Sequence, residues 1–367
     1  MKLEKGVISN TQLMYFMLCF LQCMVMTVNF NYSITEHDTW IAVLVAYAIT
    51  ILIVLVYTQI SQRLSGKNLV QINDVVFGPY LGKVISVLYI WFFLQLIINY
   101  SYFFNSFWVN FIMPETPHSV FIILLFLISM MAVRSGIEVI ARCSFIFSII
   151  VAAMIVGVNA LKIKDMDISN FMPILSTSPK DFIQSVHVML TIPFCDMVAF
   201  LMIFPYTSDN KKLRKPALIA LTMSTLLLLV VVLGNIAVAG LRLTNSTSAS
   251  FAATREIDIA NVLTRLDVLI AISLLITVFM KITVFFYAIV LGIAQILKLR
   301  SYQPIVAPVG ALAVAVTLNL YPSAMEQAYA ARFVWPFNGT IFEFFLPIIT
   351  LIIIAIRKLP KKRGIYE

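Results

Sequence analysis

Apolar runs of about twenty residues follow one another along nearly the whole chain, and that recurrence leaves few folds open. Each run is long enough to cross the hydrocarbon core of a bilayer as a helix, where every backbone polar group must be paired within the protein. Of the 367 residues 61% are hydrophobic and 12% charged, and no polar connection is long enough for a soluble domain. The chain therefore reads as one all-α integral membrane domain over residues 1–367. The first apolar segment starts near Ile8. It outruns a signal-peptide core and no small-residue cleavage site follows it, so it counts as a true span.

The pattern predicts ten transmembrane helices, at about 10–32, 39–62, 82–112, 119–133, 139–161, 182–206, 213–240, 260–298, 304–320 and 338–357. Placing the N-terminus in the cytoplasm divides the 26 Lys and Arg residues 18 to 7 in favour of that side, with Lys281 left inside a span. The positive-inside rule then puts both termini in the cytoplasm, with a basic tail at 357–367 against anionic lipid. The opposite side carries two longer connections, 162–180 and 241–258. They are either caps over a vestibule, contacts for a partner, or plain solvated connectors. Ten spans divide into five and five, about 8–161 and 181–358. In an inverted repeat the first and sixth spans would be counterparts, each discontinuous.

The sixth span carries the clearest break, in Thr191-Ile192-Pro193-Phe194-Cys195-Asp196-Met197. Pro193 has no N–H and its ring pushes on the carbonyl four residues back. A charged Asp196 near the bilayer centre costs about 2.5–3.5 kcal/mol on insertion scales. Together they point to a binding site at the midplane, facing a watery cavity. The alternative is a plain proline kink whose aspartate snorkels or is neutral. The first span has Gln22 and Cys23 at its middle, with Thr27, Asn29 and Asn31 beyond, but no Gly or Pro marks a break.

Lys281 lies midway along the eighth span. An ammonium at that depth needs carbonyls, a carboxylate or water. It either replaces a coupling cation, exchanges a proton or pairs with Asp196, or forms a fixed buried pair with no part in ligand handling. His187 reads as a packed or interfacial side chain, or else as a proton relay. Arg265 and Asp267 read as structural at the end of the eighth span, and Glu343 as a group near the membrane boundary that snorkels. Asn99 and Tyr100 are candidates for a cavity wall.

Enzymatic signatures are missing: there is no H-E-x-x-H, G-x-S-x-G, P-loop or dinucleotide fingerprint. Cys19, Cys23, Cys143 and Cys195 all lie in apolar segments without C-x-x-C spacing or a nearby histidine, and read as inert thiols rather than metal ligands. No cofactor and no metal is expected. The net charge of +9 speaks to orientation in the membrane and not to nucleic acid.

Several stretches carry a family resemblance. Arg134-Ser135-Gly136-Ile137-Glu138-Val139-Ile140-Ala141-Arg142 resembles the G-I-E-x-I-x-R segment of the B subunits of bacterial spore germinant receptors. Asp167-Ile168-Ser169-Asn170-Phe171-Met172-Pro173-Ile174-Leu175 is similar to their N-x-x-P-x-L outer loop, and Ile192-Pro193-Phe194-Cys195-Asp196 followed by Phe204-Pro205-Tyr206 to their P-F-G-E…P pattern. Thr264-Arg265-Leu266-Asp267, Phe279-Met280-Lys281-Ile282-Thr283 and Ile8-Ser9…Gln12-Leu13 complete the match, in order and spacing, from about residue 8 to the tail.

The resemblance implies a ten-span member of the amino acid/polyamine/organocation superfamily with the LeuT-like 5+5 inverted repeat. It implies a nutrient-sensing subunit in the spore inner membrane, acting with an ion-conducting A subunit and a C subunit lipoprotein. A nutrient, often an amino acid, would bind at the two breaks and trigger ion release. Gln22, Cys23, Met24, Val25, Tyr100, Phe194, Cys195 and Asp196 would line the site, with Lys281 in place of a bound cation. Two departures stand out. The family has glycine where this chain has Cys23 and Cys195, and glutamate where it has Asp196. Two alternatives stay open, a proton-coupled amino acid transporter and a non-binding scaffold for a channel-forming partner.

Overall fold

The computed structural model describes residues 3–4, 6–240 and 266–360. The predicted 241–258 connection, the Arg265 and Asp267 side chains and the tail from 361 onward lie outside the described residues.

Among the described residues the chain is helical apart from one bridge between Ile8 and Thr207. The first span is broken into α1 (Asn10–Leu21), α2 (Met24–Thr27) and α3 (Asn29–Thr35). After it come α4 (Thr39–Arg63), the short α5 (Leu69–Phe77), α6 (Leu81–Phe107), α7 (His118–Arg134) and α8 (Ile137–Leu161). The sixth span opens with α9 (Pro179–Met189), passes through a π-helical turn at Leu190–Phe194 and continues as 3-10 helix over Cys195–Met202. Next are α10 (Arg214–Ala239), α11 (Leu266–Ile296), α12 (Gln303–Leu320), α13 (Ala324–Phe333) and α14 (Trp335–Gly339). A second π-helical turn at Thr340–Phe345 leads into α15 (Leu346–Ile356). Among the described residues eight helical stretches are long and apolar enough to cross a membrane. The interrupted 10–35 run and the 17-residue α7 lie where the first and fourth spans are expected.

Burial sorts these helices into centre and rim. In the sixth span 94% of the apolar window is buried, against 22% in α12, so the broken helix is the axis and α12 faces outward. Around that axis Phe20 of α1 meets Phe200 edge-on at 5.2 Å and Phe285 of α11 at 5.4 Å. Aromatic pairs of this geometry add to the packing on top of their buried area.

Local signals set the helix starts and tie down the ends. Ser9 and Gln12 form a reciprocal capping box that opens α1, satisfying two of the N–H groups a helix start leaves over. Gly136, at φ +87°, supplies the left-handed turn between α7 and α8, a conformation that costs glycine little. Glu138 two residues on accepts from the Val7 N–H at 2.8 Å and pairs with Arg142 at 3.4 Å. Ile8 exchanges backbone hydrogen bonds with Tyr206 and Ser208, each 2.9 Å, so the start of the first span is pinned to the end of the sixth. On the opposite side the Asp38 carboxylate accepts from the N–H of Leu175 and Thr177 and from the Thr177 hydroxyl, at 2.8, 3.1 and 2.8 Å. Asn170 donates to the Ala237 carbonyl at 2.8 Å. The 162–180 connection is thereby folded down onto the helix ends.

Candidate functional site

A proline inside a helix leaves a carbonyl without its donor, and in a bilayer that group must find another. The π-helical turn around Pro193 is the local solution, since a wider turn makes room for the ring. Other carbonyls of the kinked segment also take hydroxyls from neighbouring spans. Tyr100 of α6 donates to the Ile192 carbonyl, and Tyr57 of α4 to that of Cys195 at 3.3 Å. Tyr57 also reaches the Glu343 carbonyl at 2.7 Å, and Tyr89 that of Phe342 at 2.8 Å, in the second π-helical turn. Three phenols thus cap two interrupted helices.

One turn past the kink, the Asp196 carboxylate meets Lys281 of α11 at 2.6 Å, with both side chains 0% exposed. The same oxygen, Oδ2, accepts from the Tyr100 hydroxyl at 2.6 Å. A phenol has a single proton to give, so Tyr100 shares it between this carboxylate and the Ile192 carbonyl. The Lys281 ammonium also lies over the rings of Tyr100, at 4.4 Å, and of Phe20, at 4.8 Å. Phe20 ends two residues before the break in the first span, so the ammonium sits between the two interruptions. Cys23 lies near both charges, with Thr277 beside its thiol; the Cys195 thiol has Thr50 beside it. Desolvating two charges costs several kcal/mol each, and only close pairing with further hydrogen bonds offsets it. Such an arrangement contributes little net stability and fixes one geometry.

The structure therefore brings Asp196, Lys281, Tyr100 and Cys23 together, with Phe194 and Cys195 buried on the same broken segment. The other expected residues diverge. Gln22 turns to α8 and donates to the Ser148 carbonyl at 3.0 Å. Met24 is buried in the core. Val25 lines a separate cavity of about 30 Å³ with Asn159, Lys162 and Ser273. Asn99 accepts from the Tyr321 hydroxyl at 2.9 Å, away from the charged pair. His187 pairs with the Thr340 hydroxyl at 2.6 Å.

Two expectations are corrected. Asp196 faces no watery hollow, because Lys281, Tyr100 and the packed core enclose it on every side. Glu343 does not snorkel. It is 0% exposed, its side chain lies within hydrogen-bonding reach of Asp196, and its Oε2 packs over Gly339, where a Cβ would come within 3.1 Å. Counting residues from the membrane boundary fails here because the helix begins at Trp335 and its π-helical turn packs on the sixth span. Glu343 was detectable as an acid in an apolar run, the signal that singled out Lys281. Tyr57 and Tyr89 had none, being two of 14 tyrosines. Among the described residues no cluster of three or more His, Cys, Asp or Glu is placed to hold a metal.

Comparison with known proteins matches this geometry to a family. A family model described as "Spore germination protein" matches residues 8–325. "Spore germination protein KB" of Bacillus subtilis (strain 168) is 28% identical over 282 residues, 76% of each chain. "Spore germination protein B2" of the same organism is 20% identical over 318 residues, 85% of this chain and 83% of that one. Among solved structures, a substrate-bound Na+-coupled sialic acid symporter in an outward-open state aligns with TM-score 0.62 at 12% identity, over 91% of this chain and 78% of that one. Mhp1, a nucleobase-cation-symport-1 family transporter in a closed conformation, aligns with TM-score 0.68 at 10% identity, over 95% and 78%. The chain has their LeuT-like fold, with the first and sixth helices interrupted, and it belongs to the spore permease family of spore germination proteins.

Proposed function

We propose that this chain is the permease-like B subunit of a spore germinant receptor. It binds a small nutrient, an amino acid by preference, at the junction of the first and sixth spans, and passes the signal to partners instead of turning the nutrient over. The partners are an A subunit and a C subunit lipoprotein in the spore inner membrane, and the output is ion release.

The observation that carries this is the Lys281–Asp196 pair at the meeting point of the two breaks. By their descriptions the two solved neighbours are cation-linked symporters. Here a positive charge is tethered at the junction and cannot leave with a substrate, which suits a sensor that cycles between states better than a carrier. The same pair offers a zwitterion what it needs, an ammonium for its carboxylate and a carboxylate for its amine. Both ends of the broken spans are tied down, by Asp38 on one side and by the Ile8 pairing on the other. A ligand that opens the Asp196–Lys281 pair must therefore move helices, and that motion is the signal.

The test is ligand-dependent thermal stabilisation of the purified chain against a nutrient panel. At least one nutrient should raise the melting temperature of the wild type and leave Asp196→Asn unmoved. Equal stabilisation of both would place the ligand elsewhere. Radiolabelled uptake into proteoliposomes, collapsed by an uncoupler, would replace the sensor by a transporter.

A further inference from the structure

We propose that Asp196 and Glu343 form a proton-binding pair, one proton held between the two carboxyl groups and joining the sixth span to the segment that begins at Trp335, where each helix is interrupted. The proposal goes beyond nutrient binding: its ligand is the proton, and it rests on Glu343, which the nutrient site does not use.

The charge count comes first. Asp196, Glu343 and Lys281 are all 0% exposed, so two carboxyl groups share one ammonium in the packed interior. Lys281 is committed to Asp196 Oδ2. Among the described residues, both oxygens of Glu343, and Oδ1 of Asp196, have no N–H or O–H donor from another residue within hydrogen-bonding distance. Two carboxylates in contact do not both stay ionised, and an uncompensated charge inside a protein costs several kcal/mol. One proton between them converts the repulsion into a short O–H···O bond of the charge-assisted class. The cluster then sums to zero as one ammonium, one carboxylate and one neutral acid.

Among the described residues the neighbouring hydroxyls are spent elsewhere. Tyr57 of α4 spends its hydroxyl on the Glu343 and Cys195 carbonyls, Tyr89 of α6 on that of Phe342, and Tyr100 on Ile192 and Asp196. Cys195 lies beside Thr50, and Cys23 beside Thr277. His187 of α9 is engaged with Thr340, three residues before Glu343. The approach of the two carboxyls is set by backbone, because Tyr57 bridges the carbonyls of Glu343 and Cys195 themselves, at 2.7 and 3.3 Å. Removal of the proton leaves a net negative charge between the two helices and drives them apart.

Infrared spectroscopy of the purified full-length chain without nutrient tests this. At neutral pH the wild type should show a carboxylic acid C=O band equal to one group per molecule. Glu343→Gln, whose amide mimics the protonated acid in shape, should lose that band and keep the fold. A wild-type spectrum from which E343Q removes nothing would overturn the pair. Should E343Q fail to fold, Asp196→Asn decides with Glu343 intact: one carboxyl group is then left to balance Lys281, so the acid band should disappear as Glu343 ionises, and an unmoved band would overturn the proposal. A nutrient that fails to bind at Asp196 leaves both spectra as they are, so the two proposals fail separately.

Discussion

The first and sixth spans are counterparts in the fold and are interrupted by different means. At the first, Gln22, Cys23 and Val28 keep right-handed helical angles, with φ between −60° and −58°. The chain merely tightens: Val25 donates to the Gln22 carbonyl at 3.3 Å and Met26 to that of Cys23 at 3.1 Å. Three-residue hydrogen bonds replace four-residue ones, and the backbone satisfies itself. At the sixth, Pro193 makes that impossible. The chain widens, then tightens, and borrows hydroxyls from Tyr57 and Tyr100. The self-satisfied break is lined by apolar groups and thiols; the one that depends on its neighbours carries the charges.

That asymmetry sets the order in which perturbations should cost stability. The largest effect belongs to the ion pair. Lys281→Ala or Asp196→Ala leaves a buried charge without its partner and should cost about 3–5 kcal/mol in chemical unfolding in detergent. Asp196→Leu with Lys281→Met should recover most of that loss, because no lone charge remains. Tyr100→Phe comes next, at about 1.5–3 kcal/mol, since one of its two acceptors is charged. Tyr57→Phe leaves two neutral carbonyls unserved and should cost about 1–2 kcal/mol by the same assay. At the first break Gln22→Leu removes a single bond to the Ser148 carbonyl and should cost about 0.5–1.5 kcal/mol. Cys23→Gly should fall within about 1 kcal/mol, while widening the range of nutrients that stabilise the chain, because it removes a thiol beside Lys281. A first-span variant as costly as Lys281→Ala would erase the difference between the breaks.

The two breaks were unequally legible in the sequence for the same physical reason. A proline and an aspartate three residues apart in an apolar run cannot be silent, and they marked the sixth span. The first break consists of a shift in hydrogen-bond step, which leaves no forbidden residue behind. Gln22 and Cys23 stand out in the sequence only as polar groups in mid-span, with no Gly or Pro to mark a break. The family's glycines are replaced by Cys23 and Cys195, both at right-handed helical angles with negative φ, −60° and −86°, so a Cβ is tolerated there and the effect of the replacement is on space, not on the backbone. The motif around Gly136 and Glu138 was visible as a pattern, but its work of anchoring the N-terminal segment is a long-range contact that no local spacing encodes. Depth counted along the chain puts Glu343 at the membrane boundary, whereas the fold packs its tenth apolar run directly onto the sixth.

The central claim is that Asp196 and Lys281 act as one unit at the broken sixth span. A double-mutant cycle on unfolding free energy, using Asp196→Asn, Lys281→Met and the pair together, measures it directly. We predict a coupling of about 3 kcal/mol, as expected when each single change strands a buried charge. Additive losses, with coupling near zero, would contradict it.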